Sequence, residues 1–320
     1  MPHLKVIAVI GATGAQGGSV ANQFLKDPVL SREWVVRTIT RDPSKPSAVE
    51  LKNKGAEVVA ADLDDKASLI KAFQGATAVF AVTNFWEKMD MAGEIQQGKN
   101  IVDAAKEAGI SHLVWSSLRN VNKLANFAHQ VTGGKLPHVY HFDSKSIVED
   151  YARNSGVPST YFLAGFYIQN LLRNFFRRQP PTNEWVLALP MPETAPIPLF
   201  DVTSTGVWLK AIVRKRGQVL GKRVLGATAY VTPKEIIEGF RARYPEYNSA
   251  RFQRIPDEDF KKGLIDGGFP EFAAQATLET LRLMNGGGYY GLESLEWSLS
   301  LLEDHPITWT EYLAKQPGSL

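Results

Sequence analysis

A chain of 320 residues with 44% hydrophobic and 22% charged side chains can bury a full core, either as one large domain or as a nucleotide-sized domain with a smaller one. The absence of cysteine excludes disulfides, thiol nucleophiles and thiolate metal sites, and 36 Lys+Arg against 33 Asp+Glu leaves a net charge of +3 without a basic run, which argues against direct nucleic-acid binding. No apolar run approaches the roughly 20 residues of a membrane span, and the chain enters its first strand pattern without a secretion signal, so the expected location is cytoplasmic, with the nucleus left open.

The apolar run 6–10 opens into Gly11-x-x-Gly14-x-x-Gly17, followed by a helical pattern over 16–26. This order suits a dinucleotide pyrophosphate. Gly11 permits the tight turn, Gly14 lets the backbone approach the phosphates, and Gly17 lets the helix lie close to the sheet, while the helix N-terminus attracts the anion. Thr13, Ala15 and Gln16 belong to the same expected contact surface.

Strand and helix patterns then alternate: strands at 34–40, 57–61, 77–82, 112–117 and 159–163, helices at 46–54, 66–73, 91–108 and 143–154. In the long helix, Ile95, Ile101, Val102, Ala105 and Ala108 share a face, and Gly109 stands at its stop. Six β/α units over residues 1–165 predict a parallel sheet covered on both faces. Beyond Gly165 the rhythm breaks into aromatics and prolines, Phe166-Tyr167, Phe175-Phe176, Pro180-Pro181 and the proline series 190–198, which suits a loop-rich lid better than a sheet. Helical patterns return at 203–214, 233–244 and 271–284, with short strands expected at 223–225 and 252–255. Residues 166–320 therefore read as a smaller domain on the substrate or partner side, some of its segments exchanged with the first. The run Gly286-Gly-Gly reads as a loop, and the six histidines form no metal-like cluster, so no metal is expected.

In dinucleotide folds the residue closing the second strand reads the adenosine ribose, an acid binding two hydroxyls and a cation accepting a 2′-phosphate. Here that residue is Arg41, with Lys45 four positions on and Asp42 in partial opposition, so NADP(H) is the expected cofactor. Asp62 and Leu63, after the third strand, are expected at the adenine, and Asp64 and Asp65 as caps of the next helix.

The glycine run, the Thr40-Arg-Asp-Pro turn, Ala81-Val-Thr-Asn-Phe-Trp-Glu after the fourth strand and His141-Phe-Asp-Ser-Lys145 at a helix start together resemble the NmrA-like family of atypical short-chain dehydrogenase/reductases, over nearly the whole chain. The resemblance implies an α/β fold, a Rossmann-type doubly wound parallel sheet with a smaller C-terminal α/β domain, and NADP(H) in the cleft. It implies two kinds of activity, reduction of a small molecule and NADP(H)-dependent regulation of a protein partner. Small-molecule substrate and protein partner both stay open, as does a homodimer.

Ordinary short-chain reductases place Tyr-x-x-x-Lys on one helix face, where the lysine holds the nicotinamide ribose and lowers the tyrosine pKa. The corresponding pair here is His141 and Lys145, and Tyr140 is out of register by about 100° of helix. Lys145, or His141 with a pKa near neutrality, is then the expected proton relay. Ser116 or Ser117, closing the fifth strand, can polarise a carbonyl or simply cap the strand. Thr83, Asn84 and Phe85 leave the fourth strand towards the cofactor. Trp86, Phe166, Tyr167 and Asn170 read as pocket walls or as core packing.

Overall fold

Alternation along the first strands decides the central layer. In β1 (Lys5–Ile10), Ile7 and Val9 point into one apolar cluster while Ala8 and Ile10 point into another, so both faces of the strand are buried. The computed structural model describes residues 4–121, 136–285 and 288–318. Of the positions singled out above, His3, His129, Gly286 and Gly287 lie outside the described residues.

Besides β1, the strands are β2 (Trp34–Thr40), β3 (Glu57–Ala60), β4 (Ala78–Ala81), β5 (His112–Ser117), β6 (Ser159–Ala164), β7 (Phe166–Tyr167), β8 (Phe176–Gln179), β9 (Glu184–Leu189), β10 (Ile197–Phe200), β11 (Arg223–Gly226), β12 (Ala229–Val231) and β13 (Arg251–Arg254). Seven of them form one sheet in the order β11-β6-β5-β4-β1-β2-β3, and every pairing in it is parallel. The chain leaves β1 towards β2 and β3, then returns to the other side of β1 through β4, β5 and β6. Between β1 and β4 the direction reverses, which opens a crevice beyond the C-terminal strand ends.

Helices cover both faces. Met91–Glu107 packs against Tyr140–Ser155 on one side, and Ala15–Lys26 against Thr205–Arg214 on the other. Gly98 makes the first contact close: a Cβ there would lie 2.3 Å from Val148 Cγ2. The second half of the chain contributes β11 to the edge of the large sheet beside β6.

The segment after Gly165 differs from expectation. It forms four short strands rather than a loop-rich lid: β7 and β10 join β12 in one small sheet, while β8, β9 and β13 form another. Pro180-Pro181 mark the joint between β8 and β9 and Pro190 the end of β9, whereas Pro198 lies within β10, and Trp185 and Val186 supply side chains that favour strand structure. Asp65 caps the helix Lys66–Phe73 through Ala67 N and Ser68 N, whereas Asp64 instead binds Lys88 and Gln97. Among the described residues, no helix is long and apolar enough to cross a membrane.

Candidate functional site

The C-terminal ends of β1, β4, β5 and β6 open onto one cavity of about 580 Å³. Gly11, Gly14, Ala15, Gln16 and Gly17 line it from β1, and Thr83, Asn84, Phe85 and Trp86 from β4. Ser116 and Ser117 come from β5, His141 and Lys145 from the helix Tyr140–Ser155, and Phe166, Tyr167 and Asn170 from the chain after β6. Thr13, Arg41, Lys45, Asp62 and Leu63 do not line it.

The glycine turn is built by close backbone approach. Gly11 has φ +68°, and a Cβ on Gly17 would lie 2.3 Å from Gly11 O, an overlap no side-chain adjustment relieves because the obstacle is backbone. Gly14 caps the helix Ala15–Lys26 without a side-chain bond, and its first turn carries no acid, so the N-terminal N–H groups face the cavity mouth uncapped.

Lys145 is anchored on the far wall. Its Nζ donates to Thr83 O at 3.1 Å, Thr83 Oγ1 at 2.9 Å and Glu94 Oε1, so all three ammonium protons have acceptors. Glu94 also accepts from Thr83 Oγ1 at 2.6 Å and from Ser144 Oγ. Burial pulls the Lys145 pKa below its ordinary value, and Glu94 opposes that pull. One helix turn earlier, His141 takes the place of the tyrosine of the reductase pair. Its ring is enclosed by Trp86 at 4.8 Å, Phe142 at 4.9 Å and Phe85 at 5.9 Å between centroids. Burial, aided by the Lys145 charge, lowers its pKa to about 3, so the imidazole is neutral at pH 7 and not poised near neutrality as the residue type alone suggests. His141 Nδ1 is buried and has no hydrogen-bond partner among the described residues.

The two serines closing β5 have different partners. Ser117 Oγ donates to Glu149 Oε2 at 2.6 Å, and that buried carboxylate also receives Arg153 and Arg223. The Ser117 proton therefore serves a structural cluster rather than a carbonyl in the cavity. Ser116 Oγ donates to Gln16 Oε1 at 2.9 Å, and Gln16 Nε2 donates to Tyr167 Oη at 2.6 Å, which ties the glycine turn to the strand ends across the cavity.

Outside the cavity, Arg41 is exposed at the end of β2 and donates to Glu87 Oε1 at 2.7 Å. Glu87 raises its pKa, with Asp62 and Asp64 adding to the effect. Lys45 begins the helix Pro46–Asn53, Asp62 Oδ1 accepts from Asp64 N, and Leu63 O accepts from Asn100 Nδ2 at 2.8 Å. Among the described residues no group of three or more His, Asp or Glu is placed to hold a metal ion.

The family model of the NmrA-like family matches residues 3–313. The chain belongs to the NmrA-like family. Within it, the chain is similar to the NmrA-like family domain-containing oxidoreductase hkm9 of Aspergillus hancockii, 38% identical over 173 residues, 52% of this chain and 48% of that protein. At that level of identity the chain spans about half the length of the curated relatives it matches. Its fold is similar to that of NmrA, a negative transcriptional regulator crystallised with NADP, at a TM-score of 0.77 and 21% identity over 98% of this chain and 95% of that one. It is also similar to the NADPH-dependent quinone oxidoreductase QOR2 of Escherichia coli, at a TM-score of 0.74 and 22% identity over 96% and 98% of the two chains. At such identities the structural likeness speaks for the fold alone.

The NmrA-like frame of this chain contains site residues that the sequence reading passed over. Glu94 is the main one. It stands in register with Gly98, Ile101 and Ala105 on the buried face of its helix, and a carboxylate on an apolar stripe calls for a buried cation, which is Lys145. The C-terminal walls, Phe269, Thr277, Thr280, Leu281 and Tyr289, carry no local pattern that marks a cavity.

Proposed function

We propose that this chain is an NADP(H)-dependent reductase acting on a neutral, ring-bearing carbonyl, enone or imine. One observation carries the reading: the glycine turn, Lys145 and an aromatic wall of Phe85, Trp86, Phe166 and Tyr289 line a single cavity of about 580 Å³. The glycine cradle, closed to any Cβ at Gly17, and the uncapped helix start fit a pyrophosphate. Arg41, freed from Glu87, would hold the 2′-phosphate. A bound nicotinamide dinucleotide supplies the hydride.

The substrate class follows from charge. Lys145 is the one ionic side chain lining the cavity among the described residues, and Glu94 already neutralises it. Away from the glycine turn and helix start that the dinucleotide would occupy, a substrate carboxylate or phosphate would enter without a partner, at a cost of several kcal/mol. Flat neutral rings instead meet aromatic faces and the amides of Asn170 and Asn174. The names of similar proteins, an oxidoreductase of the same family and a quinone oxidoreductase of the same fold, support this direction.

The test is the loss of NADPH absorbance when the protein meets neutral quinones, enones and cyclic imines beside carboxylated analogues. Oxidation confined to the neutral set is expected. Oxidation of the carboxylated set at equal rates would sink the assigned class. A second reading, an NADP(H) sensor regulating a protein partner, is favoured by the commitment of all Lys145 protons to Thr83 and Glu94. It requires a partner whose affinity differs between the NADPH and NADP⁺ forms.

A further inference from the structure

Seven hydroxyl-bearing residues line the cavity, Thr83, Ser116, Ser117, Tyr167, Thr277, Thr280 and Tyr289. Six have spent their proton. Thr83 donates to Glu94, Ser116 to Gln16 and Ser117 to Glu149. Thr277 and Thr280 donate back along their helix to Ala273 O and Ala276 O, each at 2.8 Å, and Tyr289 to Ala164 O at 3.2 Å. Tyr167 is the exception. Its oxygen accepts from Gln16 Nε2 at 2.6 Å, so its own O–H proton is not consumed by that bond, and it has no acceptor among the described residues.

We propose that Tyr167 is the proton donor of the reduction, and that Gln16 is the positioning residue that holds its oxygen and stabilises the phenolate. The proposal rests on the reductase reading above. It gives the cavity a tyrosine from the strand β7 in place of the one that His141 displaces from the helix. The competing donors are occupied or neutral: the Lys145 ammonium is bound to Thr83 and Glu94, and His141 is an uncharged imidazole at pH 7. Ser116 completes the arrangement, because by donating to the Gln16 carbonyl it turns the amide N–H towards Tyr167.

The chemistry balances without a further reagent. The substrate carbon gains a C–H bond with the electron pair released by the reduced dinucleotide, which is thereby oxidised. The π pair of the C=O bond moves to oxygen, and the Tyr167 O–H bond breaks as its proton moves to that oxygen. The phenolate, held by the Gln16 N–H, regains a proton from water. Burial raises the Tyr167 pKa and the Gln16 bond lowers it, so the group is protonated before the step and its anion is supported after it.

The experiment compares wild type, Tyr167→Phe and Gln16→Leu in single-turnover reduction of a neutral quinone or enone. It also measures NADPH affinity by fluorescence and the ¹³Cζ resonance of labelled tyrosine that is missing in Tyr167→Phe. Tyr167→Phe is expected to bind NADPH within about twofold of wild type, to lose about 100-fold in rate and to lose the solvent deuterium isotope effect. Gln16→Leu is expected to move the tyrosine titration and the basic limb of the pH–rate profile upward together, a shift that a merely structural glutamine would not produce. Wild-type rate with an undiminished isotope effect in Tyr167→Phe would overturn the proposal while leaving the reductase reading intact. A wild type that reduces nothing, yet binds NADPH, would overturn that reading and this proposal with it.

Discussion

Glu94 holds the ammonium of Lys145 inside the protein, in an ion pair whose side chains are 3% and 10% exposed. The pair joins the helices Met91–Glu107 and Tyr140–Ser155 directly behind the cavity wall, and Thr83 at the end of β4 shares both partners. Lys145 is therefore a structural group as well as a candidate contact for the nicotinamide ribose.

That double role makes the usual lysine variant ambiguous unless it is paired with a second. Lys145→Met leaves Glu94 buried and unpaired, which is expected to cost about 3–5 kcal/mol of stability. The double variant Lys145→Met/Glu94→Gln is expected to recover most of that loss in denaturant unfolding while still reducing substrate about 100-fold more slowly than wild type, through a misplaced nicotinamide ribose rather than a lost proton donor. Equal stability of the single and double variants would show that the pair does not anchor the two helices, and wild-type turnover in the double variant would show that Lys145 does not place the nicotinamide.

Cofactor choice turns on Arg41 and Glu87. Arg41→Ala is expected to weaken NADPH by about 10- to 100-fold with little effect on NADH, because only NADPH carries the 2′-phosphate. Glu87→Gln should act in the opposite direction and more weakly, tightening NADPH by up to about fivefold, since an exposed ion pair contributes about 0–1 kcal/mol. Titrations of both dinucleotides into the three proteins check this, and parallel losses of NADPH and NADH in Arg41→Ala would show that selectivity lies elsewhere.

Stability should depend on pH through two buried histidines. His112 opens β5 with Nε2 2.8 Å from Thr160 Oγ1, and burial lowers its pKa from 6.5 to about 4, while that of His141 falls to about 3. Because both pKa values are depressed, the unfolded chain binds protons that the folded chain refuses, and stability falls as pH drops below 6.5 towards 4. His112 alone accounts for about 3 kcal/mol across that window. Unfolding midpoints of wild type and His112→Gln are expected to converge as pH falls through this range, and parallel curves would contradict the assignment.

The parts of this fold that could be read from sequence are those whose signal is local. The run before Gly11, the glycine spacing and the strand–helix alternation through β6 each depend on neighbours within one unit, and the large sheet follows them in order. The region after Gly165 resisted because its strands have only two to six residues, too few for a period to emerge, and its prolines mark turns as readily as loops. The site shows the same division. Lys145 and His141 stand at a spacing that can be read locally, but Gln16 and Tyr167 meet across 151 positions, and only the folded chain brings the first turn of the helix Ala15–Lys26 to the end of β7. Glu94 was legible in principle, as an acid on a buried stripe, once a partner for it was sought.

The most direct measurement follows the hydride itself. Protein is mixed with NADPH carrying deuterium at nicotinamide C4 and a neutral ring-bearing carbonyl, enone or imine, and the product is analysed by mass spectrometry and NMR. The reductase account predicts one deuterium on the reduced carbon, delivered from one face of the dinucleotide, in protein-dependent fashion. NADPH that binds to the protein while no product of the series acquires deuterium would contradict it and leave the sensor reading in its place.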